Sequence, residues 1–387
     1  MRVVINLVAL PAYSDRLKLI CSLSEHVEHV TLLTDRLPPD IEARVAPYAN
    51  LTVVELGAKS FSQVSSQWLE EALARTPIDV VHDTFGFLAP FFQRHGPNPS
   101  RRFRLLTTLY TSNWDWFQDV RRVEFDISWT YAKQRILTLW RDRRMCPMAD
   151  RVMVLGPGHA KTLADAHDIP PDRVIWCPAE VDTDLYTPGE NPTLRTASLT
   201  FSGAVCRNKG VDVLLDAAAI LASAGEDFVV KLIGRVLFWE RRWFAQARRD
   251  HDLENHVIHY GQRRPAELLA HYRQSTLFVF PSRFEGSPRC VREALACGLP
   301  CIVSDIPGHR GLDPDGQFLT FVPDWNPHTW AEAIQQALAE SEPVREARRI
   351  RGRQHMVHHH SVSAVAHRWC AQYEAICAAP PWSASRK

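Results

Sequence analysis

The sequence has almost no net charge. Its 45 lysines and arginines balance 44 aspartates and glutamates, leaving +1 over 387 residues with histidines neutral. A chain so balanced offers no global case for nucleic acid or for an acidic partner. It also lacks a long apolar run at its start. Met1-Arg2 leads directly into Val3-Val4-Ile5-Asn6-Leu7-Val8, which is strand length and far too short to span a membrane. Nothing there resembles a signal peptide, so a cytoplasmic protein is expected. A disulfide framework is missing too. The nine cysteines are odd in number and scattered, as suits reduced thiols in a cytosol. Cys297 and Cys301 flank a helix end without a second pair, so no zinc is expected there. No internal repeat or long low-complexity stretch is visible, and the length suits two or three domains with their own cores.

What is present is organised around residues 276–308. Thr276–Phe280 is a short apolar run rich in β-formers and reads as a buried strand. Ser287 is a good N-cap, and Pro288 fits the first helical position. Gly298 falls at the C′ position of the helix, Pro300 follows, and Cys301–Ser304 is the next strand. Strand, helix and strand make a βαβ unit and imply a parallel sheet. Glu285 sits just before the helix and Glu293 inside it. The free N–H groups at the helix start attract an anion such as a diphosphate, and Gly286 lets a ligand approach the backbone. At about 1.5 Å per residue, Glu293 lies roughly 8 Å beyond the helix start. The two carboxylates could then hold hydroxyls at opposite ends of one ligand. Two such glutamates alone read first as a surface loop residue and a half-buried helix residue.

The longer pattern is more specific. Glu285, Gly286, Glu293, Ala294, Gly298, Pro300 and Gly308 follow one another as in the donor-binding signature of the family-four retaining glycosyltransferases, of the group 1 type, which this segment resembles. The resemblance covers residues 145–375 well and the first part of the chain in outline. It implies a GT-B fold: α/β, with two doubly wound, Rossmann-like domains facing a central cleft. The expected division is 1–187 for the acceptor-side domain, 188–360 for the donor-binding domain, and 361–387 for a helix crossing back to the first domain.

Taken in order, strands are expected at 2–8, Val30–Leu33, Leu51–Leu56, Asp79–His82, Leu105–Leu109, Ala149–Leu155 and Arg173–Cys177, with helices at Asp15–His26 and Gln63–Arg75. Thr187–Thr196, with two prolines and a glycine, reads as the linker. In the resembled family the loop after the first strand is glycine-rich. Here Val8–Ser14 has no glycine. The family's histidine after the strand Leu105–Leu109 is replaced by Tyr110-Thr111-Ser112-Asn113. On the acceptor side the candidates are His82, Asp83, Tyr110, Asn113 and Trp114. The aromatic stretch around Trp114, Trp116, Phe117 and Trp129 reads first as core and second as a platform for a ring. Lys133–Arg144 is a basic amphipathic helix, read first as packed with a solvated basic face and second as a peripheral membrane contact.

In the second domain Leu199–Gly203 is a strand, followed by a loop carrying Arg207, Lys209 and Gly210. The family pairs its Lys with an Arg directly after the strand's Gly203, where this chain has Ala204, so Arg207 is the expected substitute. A departing nucleoside diphosphate gains charge, and cations stabilise it. The resemblance therefore assigns Glu285, Lys209 and Arg207 to catalysis. It assigns Gly203, Gly286, Ser287, Pro288, Arg289 and Glu293 to the donor, with Gly234, Gln262 and Arg263 beside the base. The tail histidines His355, His358, His359, His360 and His367 read as a solvated cluster, and the resembled fold needs no metal.

The expected activity is sugar transfer from a nucleotide sugar to an acceptor hydroxyl with retention of configuration, the diphosphate leaving and the acceptor attacking on the same face. The co-substrate is a UDP- or GDP-sugar, with no further cofactor. The acceptor is a small molecule, a glycan or a lipid-linked molecule. Two alternatives stand beside it. A nucleotide-sugar hydrolase or epimerase of the same fold would be separated by product analysis. A degenerate, non-catalytic partner subunit would bind nucleotide sugars weakly or not at all.

Overall fold

The computed structural model describes residues 1–7, 15–37, 40–57, 59–84, 86–109, 129–189, 196–250 and 253–382. The chain forms two units. The described residues up to Glu180 join the C-terminal segment from Val362 in the first, and Val181–Ser361 belongs to the second.

The first unit is a seven-stranded sheet in the order β3-β2-β1-β4-β5-β6-β7. Its strands are β1 Arg2–Asn6, β2 His29–Thr34, β3 Leu51–Glu55, β4 Val80–Asp83, β5 Arg104–Leu109, β6 Arg151–Val154 and β7 Val174–Trp176. Every pairing is parallel. The strands read as continuous apolar runs because helices cover both faces of such a sheet. Strand ends shift from the sequence expectation by a residue or two. Asp79, for example, stays outside β4, and its carboxylate accepts the Arg2 N–H at 2.6 Å. One face packs Val3, Ile5 and Leu32 against Leu17 and Ile20 of the helix Asp15–Ser24. It also packs them against Val365, Trp369 and Tyr373 of the C-terminal helix Val362–Ala378. The other face packs Val4, Leu33 and Val81 under Leu69, Phe91 and Phe92.

The basic helix runs from Trp129 to Met145. Its buried side near the C-terminal end is Asp142 and Met145. Ile136, Leu137 and Trp140 fall on the opposite arc at 3.6 residues per turn and stand 47%, 57% and 58% exposed. These apolar side chains are therefore not the packed stripe that the sequence pattern suggests. No helix among the described residues is long and apolar enough to cross a membrane.

The second unit is a six-stranded parallel sheet in the order β10-β9-β8-β11-β12-β13. The strands are β8 Ala197–Ser202, β9 Phe228–Ile233, β10 Val257–Gly261, β11 Leu277–Phe280, β12 Cys301–Ser304 and β13 Leu319–Val322. All four residues of β11 and of β12 are buried, as central parallel strands require. All nine cysteines are free thiols. Among the described residues no group of three or more His, Cys, Asp or Glu is arranged to hold a metal ion.

Candidate functional site

Strands β8 and β11 are hydrogen-bonded neighbours. From β8 the chain moves outward to β9 and β10, and from β11 it moves the other way to β12 and β13. The two connections leave adjacent strand ends in opposite directions. Such a change of direction is where open parallel sheets bind ligands. The loops that follow these two strands are Gly203–Gly210 and Pro281–Pro288.

These loops bring together two residues 76 positions apart, with Lys209 Nζ donating to Glu285 Oε1 at 2.5 Å. The side chains are 25% and 11% exposed, so the pair is sheltered yet reachable. Burial pulls the Lys209 ammonium towards neutrality. The Glu285 carboxylate, through its charge and its hydrogen bond, outweighs this and leaves the lysine pKa above its ordinary value. Lys209 is charged throughout the neutral range.

The backbone around this pair admits little change. Gly210 has φ +74°, and a Cβ there would lie 2.0 Å from the Pro281 carbonyl oxygen. A Cβ on Gly308 would lie 2.2 Å from the Glu285 carbonyl oxygen. Glycine is needed at both for the loops to approach. Arg283 then staples one loop to the other. Its Nη1 and Nη2 donate to the two oxygens of Asp212 at 2.8 Å each, and Nη1 also reaches the Arg207 carbonyl. Its backbone N–H donates to the Asn208 carbonyl at 3.0 Å. A bidentate fork of this kind fixes direction as well as distance.

The helix after β11 is Arg289–Ala296, one residue later than the sequence suggests. Pro288 occupies the N-cap position, and no side chain caps the helix. Ser287 is not the cap because its Oγ accepts Arg292 Nη1 at 2.6 Å. Gly286 and Pro288 are buried and Arg289 is exposed. Gly298 takes φ +67° just past the end, as a C′ glycine does. Glu293, inside the helix, is 5% exposed. Its Oε2 accepts the Tyr272 hydroxyl at 3.1 Å. Burial, and then the Glu293 charge, push the Tyr272 phenol well above its ordinary pKa. It stays a donor.

The remaining donor-side candidates line the same edge of the sheet. Gly203 follows β8, and its N–H donates to Ile233 O at 2.9 Å. Gly234 follows β9, donates to Gly261 O at 2.9 Å and accepts His259 Nε2 at 2.8 Å. Gln262 and Arg263 follow β10 and are exposed. Arg207 sits in the short 3-10 turn Arg207–Lys209, 25% exposed, with Nε donating to Glu240 Oε2 at 3.0 Å.

On the first unit, the structure corrects two expectations. His82 is fully buried, and both ring nitrogens have partners: Tyr373 Oη at 2.7 Å and Thr108 Oγ1 at 2.6 Å. It ties the C-terminal helix to the sheet and offers nothing to a ligand. Asp83 is buried as well. Its carboxylate accepts the N–H groups of Phe87 and Leu88 at 3.3 and 2.7 Å and so holds the turn after β4. Tyr110, Asn113 and Trp114 lie outside the described residues, as does the loop 8–14.

Sequence reasoning misses Arg283, Asp212, Tyr272 and His309. His309 is fully buried, with Nδ1 2.7 Å from the Ser304 carbonyl. Burial pushes its pKa down to about 4, although the nearby Glu285 carboxylate pulls the other way. Burial likewise holds His82 near about 3 and His167 near about 4. These folded-state values lie below the ordinary 6.5, so the unfolded chain binds more protons between them. Their contribution to stability is complete above pH 6.5 and is lost as pH falls towards 4. At about 1.4 kcal/mol per pKa unit, each withdraws on the order of 2–3 kcal/mol by pH 4. Urea midpoints should therefore fall steeply over that window. The His167→Gln variant should show a shallower fall, and an equal slope would refute the assignment.

Residues 190–355 match the family model described as Glycosyl transferases group 1. A D-inositol 3-phosphate glycosyltransferase of Corynebacterium aurimucosum is 26% identical over 216 residues, 51% of this chain and 51% of that protein. The chain spans about half the length of the curated relatives it matches. The sucrose-phosphate synthase structure from Thermosynechococcus elongatus superimposes with a TM-score of 0.79 at 18% identity, covering 97% of this chain and 99% of that one. The structure of Anabaena Alr3699/HepE in complex with UDP-glucose superimposes with a TM-score of 0.72 at 14% identity, covering 97% and 99%. Over its length the chain has the GT-B fold, and over residues 190–355 it carries the glycosyl transferases group 1 pattern.

Proposed function

We propose that the chain transfers a sugar from a nucleotide-sugar donor to an acceptor hydroxyl, with retention of configuration. The observation that carries this reading is the Lys209–Glu285 pair, 2.5 Å apart at the strand switch of the second unit. A cation and a carboxylate side by side suit a ligand whose diphosphate meets hydroxyl-bearing sugar. The solved structures of Anabaena Alr3699/HepE contain UDP, glucose and UDP-glucose, and that ligand class is the one proposed here.

Lys209 and Arg207 neutralise the diphosphate as it leaves, together with the N–H groups at the start of the helix Arg289–Ala296. Glu285 holds hydroxyls of the donor sugar near the reacting carbon. Glu293, oriented by Tyr272, holds the ribose. Cys290 is a thiol close to these carboxylates. Burial, and then Glu285 and Glu293, raise its pKa well above the ordinary value, so it stays protonated and is a poor covalent nucleophile. Departure and attack on one face accord with that, with a phosphate oxygen helping to take the acceptor proton.

A thermal-shift screen with UDP, GDP, ADP and dTDP, free and as sugar conjugates, tests the reading. A ligand at 100 times its dissociation constant stabilises by about 2.7 kcal/mol, which is readily seen. One diphosphate and its sugar conjugate should shift the midpoint, and incubation with the conjugate and candidate acceptors should yield a glycoside. No shift with any of the four would abandon the donor site. Free sugar without a glycoside would point to the hydrolase reading.

A further inference from the structure

The segment after β9 reads Arg235-Val236-Leu237-Phe238-Trp239-Glu240-Arg241-Arg242-Trp243. It runs beside the loop after β8. Val205 and Val236 form a parallel bridge, and the Val205 N–H donates to Arg235 O at 2.9 Å. This brings the short turn Phe238–Glu240 up to Arg207. Glu240 is 1% exposed, and its carboxylate accepts Arg207 Nε at 3.0 Å. The Arg207 guanidinium also lies 5.6 Å from the centre of the Trp243 ring. From the other side, Arg283 holds the Arg207 carbonyl.

A carboxylate buried this deeply is costly unless it is paired. Placing one beneath a loop arginine makes sense if the arginine must be held in one plane. A nucleoside diphosphate needs that, because planar forks recognise phosphate oxygens through direction as well as charge. Lys209 alone does not supply this, since an ammonium is a point charge without a planar fork.

We propose that Glu240 and Trp243 are positioning residues that hold Arg207 as the second cation for a nucleoside diphosphate. This rests on the donor-site reading above. Glu240 fixes the guanidinium at Nε, and Trp243 supports it through its ring. Neither touches the ligand.

The test is calorimetric titration of whichever of UDP, GDP, ADP and dTDP the wild-type chain binds, alongside its monophosphate. Arg207→Ala should weaken diphosphate binding. Glu240→Gln keeps the shape and removes the charge, and should weaken it roughly tenfold, the scale of one charge-assisted hydrogen bond. Monophosphate binding should hardly change in either. The double variant Arg207→Ala/Glu240→Gln should bind no worse than Arg207→Ala alone, because Glu240 acts through Arg207. Trp243→Phe should retain most of the affinity and Trp243→Ala should not. Equal losses for monophosphate and diphosphate in Glu240→Gln would make Glu240 purely structural and overturn the proposal. Tighter diphosphate binding would overturn it too, by showing that Glu240 holds Arg207 away. If the wild-type chain binds none of the four, the donor-site reading itself fails, and this proposal with it. If it binds one and Glu240→Gln is unchanged, only the positioning role fails.

Discussion

Glu285→Gln is expected to reduce sugar transfer by roughly 100- to 1,000-fold, the usual scale for losing one group that acts in the transition state. The substitution keeps the side chain's size and removes its charge. It should leave the fold intact, since the glutamine amide oxygen can still accept the Lys209 Nζ hydrogen bond that Glu285 Oε1 accepts. The sharper expectation concerns binding. In the free protein the Glu285 carboxylate occupies Lys209 at 2.5 Å. With glutamine there, Lys209 loses its internal anion and becomes more available to phosphate. Affinity for a free nucleoside diphosphate should therefore hold or rise while turnover collapses. Measuring both in one variant separates a group that handles the sugar from one that merely shapes the loop. Parallel loss of binding and turnover, with a lowered melting temperature, would assign Glu285 to the loop's structure. Wild-type turnover would remove it from the chemistry.

The same pair shows what can be read in the sequence. The strand, helix and strand around Glu285 are legible because each is punctuated locally: buried β-formers, a proline and a glycine at the right offsets. That Lys209 meets Glu285 is not legible locally. The resemblance assigns both to one donor ligand but not to each other, and their meeting depends physically on β8 and β11 being neighbours across a change in strand order. Glu240 beneath Arg207, 33 residues away, leaves no periodic or motif signal. Ser287 looks like a cap in the sequence, but its hydroxyl has a competing donor in Arg292. His82 misleads for a similar reason. A histidine at a strand's end can face a ligand or the core, and Tyr373, the partner that decides, lies 291 residues further on.

Asp150→Ala is expected to have the largest effect on stability, about 3–5 kcal/mol, the range for breaking a buried ion pair by removing one partner. Asp150 and Arg101 have side chains only 2% and 1% exposed. Arg101 Nη2 lies 2.6 Å from each carboxylate oxygen. The same carboxylate accepts the N–H groups of Leu105 and Trp382, also at 2.6 Å. One side chain thus joins the start of β5, the approach to β6 and the C-terminal segment within the first unit. Burial pulls the Arg101 pKa down while Asp150 supports it, so alanine at 150 leaves a buried cation unbalanced and two N–H groups without an acceptor. A loss on this scale is a large share of the roughly 5–15 kcal/mol that holds a domain folded. Urea unfolding of the full chain measures it. Replacing both partners by apolar residues, Arg101→Met with Asp150→Leu, removes the stranded charge and should recover part of the loss. Recovery should stay incomplete, because no apolar side chain can accept the Leu105 and Trp382 N–H groups. If Asp150→Ala costs less than about 1 kcal/mol, the range of an exposed pair, the cluster does not hold the first unit together. If the double variant is no better than the single one, the unpaired N–H groups and not the stranded arginine set the loss.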